Sequence, residues 1–417
     1  MRRGTFVRWG VPIAAAAVIG AAVGAGPVIA AVSGDPVLPE RSAQQLLADA
    51  AAAGKKETPP MSGTVQQTAS LGLPALPQIG AASPLALLSG SHEVKVWYGG
   101  HDKLRVAMPT QMNETNLIIN GGQSWYWDSA SNTATKLIWK GWSKEPPRDL
   151  ATPAPGDLTP KGVAEQILAK AGEHTAIRVT NTAEVAGRPV YQLVLAPKAA
   201  GSLVQEVRLA LDGETFVPLQ VQVFAKGSAE PAFQVGFTQV TFTPPAEENF
   251  TFTPPQGAKV EEREFGGPEE AREGEKQAEH AERTARDAKV VGAGWTGVAV
   301  LKVSAADLAG KPSDGEPSDS RTPDSRTPDS RTPDGRTSDG RTSDGRTSDG
   351  GPEGLGGDAD VKGILDNVLK NATPVSGPWG SGRLISTKLV TALLTDDGRL
   401  LVGAVTPEEI TKAAGVK

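Results

Sequence analysis

The chain has no cysteine. That excludes disulfides, thiolate metal sites, a cysteine nucleophile and a lipid-modified amino-terminal cysteine, and it leaves the fold to be held by packing alone. Aromatic residues are scarce, at 5% of 417 positions, so a cluster of them marks either a core or a binding wall. An excess of basic charge is missing too. The formal net charge is −6, which argues against a nucleic-acid partner, because such a partner needs a basic face. The four histidines, His92, His101, His174 and His280, show no spacing that suits a metal. No G-x-S-x-G elbow and no Walker loop is present. The glycine-rich GPWGSG, Gly377 to Gly382, lacks the lysine and the following helix of a phosphate site and reads as a turn before a strand. No two carboxylates stand in a pattern suited to paired acid–base work. The sequence therefore reads as a non-enzyme without cofactor or metal.

What the chain has in abundance is glycine (48) and proline (33), a composition that expects unstructured stretches between folded ones. It opens with MRRGTFVRWG, which carries three arginines, followed by the uncharged VPIAAAAVIGAAVGAGPVIAAV. Residues 1–33 have the form of a secretory signal, with small residues at Ala30, Ala31 and Ser33 where a peptidase cuts. The apolar run is also long enough for a membrane span, so an uncleaved anchor stays open. Either way the rest of the chain is expected outside the cytoplasm, secreted or tethered to the membrane.

Behind the leader, SAQQLLADAAAAG predicts a helix with Ser42 as N-cap, Gln45 at the capping-box position and Gly54 at its end. Period-two alternation then predicts strands: Val94, Val96 and Tyr98 share one face, as do Leu104, Val106 and Met108. Between Leu71 and Leu88 lies a segment that is apolar (Leu71, Leu73, Leu76, Ile79, Leu85, Leu87) but broken by Pro74, Pro77 and Pro84. It cannot be a regular element and is read as a lid. NLIINGGQSWYWDSASNTATKLIW predicts two hairpins, with turns at Asn120-Gly121-Gly122 and Asp128 to Asn132. A second helix is expected from Thr159 to Gly172. Four further strand patterns follow, the last within ENFTFTPPQGAKV. Together these predict an antiparallel sheet with one face covered by helices.

Residues 42–260 form this expected sheet domain, and 261–289 read as a charged linker without an apolar stripe. Residues 311–357 hold a five-residue repeat, SRTPD passing into GRTSD, with no large apolar residue, and are expected to be disordered. Residues 290–303 and 361–417 are read as one small α+β unit interrupted by that repeat. It comprises a helix at Val361 to Leu369, a hairpin of Leu384–Thr395 and Arg399–Val405, and a helix from Pro407 capped by Thr406.

Half of the eight tryptophans (Trp125, Trp127, Trp139, Trp142) fall between residues 125 and 142. Trp125, Trp127, Leu137 and Trp139 alternate along their strands and are expected to line the inner wall of a curled sheet, with the 71–88 segment opposite them.

The order of these elements resembles the LolA/LolB-like lipoprotein-carrier superfamily and the two-domain RseB/MucB proteins. The matching residues are Ser62 to Val65, Lys103 to Val106, Asn120 to Asp128, Gly187 to Leu195, Leu211 to Val223, Phe237 to Phe242 and Phe250 to Val260. Gly294-Trp295 and Gly398 to Ala414 resemble the smaller RseB domain. The resemblance implies an α+β fold: an incomplete, curved antiparallel β-barrel covered by helices. It implies an apolar cavity that holds lipid or lipoprotein acyl chains, for carriage or for sensing. The alternative that it implies is a regulator binding a transmembrane anti-sigma factor; a transporter is a further membrane-protein partner of this kind.

Overall fold

The computed structural model describes residues 38–54, 56–72, 89–139, 172–265, 288–303 and 371–416. The amino-terminal segment, nearly all of the 71–88 segment, the helix expected at Thr159–Gly172, the pentapeptide repeat and the helix expected at Val361–Leu369 lie outside these residues. The described part is mostly β-sheet. Among the described residues no helix is long and apolar enough to cross a membrane.

Helix α1 (Ala43–Ala53) starts as its sequence predicts. Ser42 is extended, its hydroxyl accepts from the Gln45 amide at 3.2 Å, and the Gln45 side chain accepts from the Ser42 amide at 2.9 Å. Ser42→Ala is expected to cost about 1 kcal/mol, read as a lowered urea midpoint with an unchanged slope. Leu46 on the buried face packs against Tyr191, Leu193 and Leu211. Arg41 adds a second anchor: its guanidinium lies 5.5 Å from the Tyr191 ring and 5.4 Å from the Phe216 ring, and it donates to the Tyr191 hydroxyl at 3.1 Å.

The large sheet is built from two runs of hairpins. One run is β1 (Met61–Ser70), β2 (Ser89–Gly100), β3 (Lys103–Pro109), β4 (Glu114–Asn120), β5 (Gln123–Asp128) and β6 (Thr133–Trp139). The other is β7 (Thr175–Val185), β8 (Arg188–Pro197), β9 (Val204–Asp212), β10 (Pro218–Ala225) and β11 (Pro231–Thr241). Pairing of β11 with β1 joins the runs, and β12 (Lys259–Phe265) adds to the outer edge of β6. Gly63 is required at this junction, because a Cβ there would lie 2.4 Å from the Gln239 carbonyl oxygen and 2.8 Å from the Phe237 ring. Among the described residues the sheet is unclosed: its edge strands, β12 and β7, are not hydrogen-bonded to each other. It is strongly curled. Cα atoms of β7 and β11 approach within 8 Å although three strands lie between them, where a flat sheet would set them roughly 19 Å apart.

Two expectations need correction. The sheet is not wholly antiparallel, since β12 runs parallel to β6. A parallel neighbour needs a crossover rather than a turn, and residues 242–258 supply it. The stretch around Phe250–Ala258, expected as a strand, is therefore a strap containing one 3-10 turn, Glu247–Phe250. The strand itself runs on to Phe265, into the stretch expected as linker.

A second, six-stranded sheet comprises β13 (Lys289–Val291), β14 (Val298–Lys302), β15 (Thr373–Gly377), β16 (Gly380–Ser386), β17 (Thr391–Thr395) and β18 (Arg399–Gly403). Helix α2 (Pro407–Ala414) packs Ile410 against Val298, Leu393 and Leu401. The 290–303 island does pair with the carboxy-terminal hairpin, through β14 and β18. The expected single strand Leu384–Thr395 is instead two strands, because the turn at Thr387–Val390 divides it. Thr406 precedes α2 but makes no side-chain bond to a backbone cap.

Among the described residues the two sheets touch at three places. Ser202 and Val405 form a bridge, with Leu203 donating to Ala404 at 2.8 Å and Thr406 to Gly201 at 2.9 Å. The Trp295 indole donates to the Thr175 hydroxyl at 2.8 Å. Lys388 donates from its backbone to the Leu71 carbonyl at 2.8 Å and from its ammonium to the Ser70 hydroxyl at 2.9 Å.

Candidate ligand-binding face

Strand register decides which side chains share a surface, because cross-strand partners point to the same side of a sheet. Val96 on β2 faces Val106 on β3, Val106 faces Leu117 on β4, and Leu117 faces Tyr126 on β5. One step away along the strands, Tyr98, Leu104 and Ile119 form the next row, which Ser124 and Leu137 continue. On the other side of β1 the same face carries Val235, Val221, Leu209 and Leu193. This side of the sheet is largely apolar on β1 to β4 and β7 to β11, and at Tyr126 and Leu137 beyond them, but Gln67, His92 and Thr115 share it.

It is not uniformly filled. At its centre Val65, Val94, Val221 and Val235 are buried against one another and against Val96, Val106, Met108, Val207 and Leu209. Toward β7 to β9 it is covered by α1. Across β2 to β5 the residues Val96, Tyr98, Leu104, Val106, Met108, Leu117, Ile119 and Tyr126 are only half-buried. This last region is the candidate site. Burial raises the Tyr126 phenol above its ordinary pKa, and the Asp128 carboxylate adds to this, against an opposing hydrogen bond with Thr115. Burial likewise raises the Tyr98 phenol, helped by Glu57 and Asp102.

The structure brings together seven of the residues expected at the site: Val94, Val96, Tyr98, Leu104, Val106, Met108 and Leu137 all lie on this face. Leu71 lies at the exit of β1, with its carbonyl held by Lys388. Leu73, Leu76, Ile79, Leu85 and Leu87 lie outside the described residues. Trp139 ends β6, paired with Phe265 of β12.

The expected grouping of Trp125 and Trp127 with Leu137 is overturned. Trp125 pairs with Lys136 and Trp127 with Ala134, whereas Leu137 pairs with Ser124. One residue of register separates the sets, so the two indoles point to the opposite face. There the strap covers them: the Phe252 ring lies 5.6 Å from Trp125 and 5.9 Å from Trp127. Polar contacts hold the strap in place. Lys103 pairs with Glu247 at 2.7 Å, Arg105 donates to the Asn249 carbonyl at 3.4 Å, and Asn120 donates to the Phe250 carbonyl at 3.3 Å. Arg105 also stacks on Trp97 at 5.3 Å and donates to the Asn116 side-chain oxygen at 3.1 and 3.0 Å. Trp127 is core beneath a crossover, and Trp125 lies half-buried beside it under the same strap.

Alternation alone missed Leu117, Ile119 and Tyr126. The signal was present in the hairpin turn: with Gly121 and Gly122 as the two turn residues, Asn120 faces Gln123 and Leu117 faces Tyr126. Following Val106 through that register leads to the phenol rather than to the indoles.

No family model matches the chain, and no curated protein matches it. Among solved structures, it is similar to the Pseudomonas aeruginosa MucA/MucB complex, at 13% identity over 89% of this chain and 96% of that one, with a TM-score of 0.35. It is similar to an uncharacterized conserved protein of Thermus thermophilus, at 14% identity over 54% of this chain and 100% of that one, with a TM-score of 0.28. It is similar to a LolA superfamily protein of Nitrosomonas europaea, at 12% identity over 51% of this chain and 99% of that one, with a TM-score of 0.18. The structural neighbours thus include MucB and LolA-superfamily proteins, the two groups that the sequence resembles. At these TM-scores the likeness carries no argument about the site, which rests on register and burial.

Proposed function

We propose that this chain works outside the cytoplasm as a non-enzymatic binder of lipid or lipoprotein acyl chains, held against the half-buried apolar face of β2 to β5. The observation that carries this reading is that face itself. Rows from four adjacent strands present aliphatic side chains and two tyrosines, and they are less buried than the valine cluster beside them. Taking an acyl chain from water gains about 0.8 kcal/mol per buried methylene, so a broad apolar surface suffices and no reacting group is needed. The leader-like amino terminus supports the location.

Leu117→Asp puts a charge in the middle of that face. It is expected to weaken binding of a fluorescent acyl probe by at least tenfold, about 1.4 kcal/mol, because the carboxylate must be desolvated when the chain docks. Unchanged probe affinity in a folded Leu117→Asp protein contradicts the proposal.

The second reading is an RseB-type contact with a membrane protein such as an anti-sigma factor. An open depression of about 490 Å³ lies between the β15–β16 hairpin and α2, lined by Val375, Trp379, Glu408 and Lys412 among others. Purification from the native host separates the readings. Extracted acyl lipids support carriage, and a lipid-free chain with a co-purifying membrane protein supports regulation.

A further inference from the structure

The apolar face changes character from one end to the other. At the end where β3 turns into β4 and β5 into β6, the register places Met108, Thr115, Asp128 and Thr133 in one row. The next row reads Val106, Leu117, Tyr126 and Thr135. The row beyond that reads Leu104, Ile119, Ser124 and Leu137, with no hydroxyl or carboxylate besides Ser124. One corner of the face therefore holds a phenol, three threonine hydroxyls and a carboxylate, all half-buried.

These groups are ordered. Tyr126 stands diagonally across from Thr115 and beside Asp128, whose carboxylate helps raise its phenol. The Asp128 carboxylate accepts from the Ala130 amide and the Ser131 hydroxyl, each at 2.9 Å, and so is fixed by its own turn. Lys259, beside Thr133 on β12, pairs with Glu261 at 2.6 Å, and Arg263 stands beside Leu137 at the other end.

We infer that this corner receives the headgroup of the bound lipid and selects an uncharged one that bears hydroxyls or an ester, as in a monoacylglycerol, over a carboxylate or a phosphate. The inference rests on the reading of the face as an acyl-chain site. The acyl chain then runs from Tyr126 toward Leu104 and Tyr98. Hydroxyls of the ligand find donors and acceptors among Thr115, Tyr126, Thr133 and Thr135, and Asp128 accepts a further bond. An anionic headgroup would instead bring like charge against Asp128 in a half-dry setting, which is costly.

The test compares dissociation constants of a monoacylglycerol and the free fatty acid of the same chain length at neutral pH. The proteins are the full chain, Tyr126→Phe and Asp128→Asn, with melting temperatures recorded alongside. The native chain should prefer the monoacylglycerol. Asp128→Asn, which can keep the turn, should narrow that preference by about tenfold by improving fatty-acid binding. Tyr126→Phe should weaken the monoacylglycerol several-fold and shift the fatty acid, which Asp128 already holds off, by less. Equal binding of both ligands by the native chain, or equal shifts of both in the variants, overturns the headgroup assignment and leaves the acyl-chain site standing. Binding of neither ligand overturns the acyl-chain reading and this inference with it.

Discussion

Replacing Trp127 with alanine is expected to destabilise the protein by about 3–5 kcal/mol while leaving the acyl-probe affinity of the folded molecules unchanged. Trp127 is only 6% exposed and packs under the strap, against Phe252. Its cross-strand neighbours Asn116 and Ala134 are also buried, so removing the indole leaves a cavity among packed groups. The loss also loosens the strap that leads into β12, and β12 should become the first strand to exchange its amide hydrogens. Urea titration gives the stability change, and probe titration well below the transition gives the affinity. Near-native stability combined with lost binding would return the indole to a binding wall and contradict the register argument.

The second large effect is expected at the turn joining β9 to β10. The Asp212 side chain is fully buried, and Arg188 donates to its Oδ1 at 3.1 Å and to Glu214 at 2.9 Å. Asp212 also accepts from the amide and the hydroxyl of Thr215, each at 2.8 Å. Burial pushes the Asp212 carboxyl upward in pKa, but the bonds from Arg188 and Thr215 outweigh it and hold the group below its ordinary value. Arg188→Met keeps an apolar stem near Phe242, over whose ring the guanidinium lies, but strands a buried carboxylate, a change expected to cost about 3–5 kcal/mol near neutral pH. The pH dependence follows from the sign of the shift. A carboxyl with a lowered folded pKa stabilises above its unfolded value, about 3.9, and loses that contribution as pH falls through the folded value. In the variant, burial acts on Asp212 without its strongest partner, so the group takes up its proton more readily and the penalty fades in acid. The gap between native chain and variant should therefore be widest near neutrality and narrow below pH of about 4. Urea midpoints across this range test it, and a gap that stays constant contradicts the assignment.

Several local signals were legible in the sequence, though the Thr406 cap and the turn at Thr387–Val390 were not. The Ser42–Gln45 capping box, the Gly121-Gly122 turn and the Asp396-Asp397-Gly398 turn stand where their residues place them. Pairing of the 290–303 island with the chain's last strands was legible too, because an isolated hairpin needs further strands to make a core. What sequence did not reveal was non-local. Both faces of β4 and β5 carry large apolar residues, Leu117, Ile119 and Tyr126 on one and Ile118, Trp125 and Trp127 on the other. Alternation then gives no reason to choose, and bulk misleads. The choice depends on the strap, whose Phe252 ring covers the indole side. Strand β12 was hidden for a related reason: its charged residues Glu262 and Glu264 look like linker, but an edge strand gains from charge because it discourages pairing with other chains.

Photocrosslinking tests the central claim most directly. A monoacylglycerol carrying a diazirine along its acyl chain, irradiated in complex with the full chain, should label Leu104 to Met108 and Leu117 to Tyr126, and its adducts should fall on the alternate positions that face away from the strap. Adducts confined to the depression around Trp379, or none on β3 to β5, would contradict the assignment of that face as the acyl-chain site.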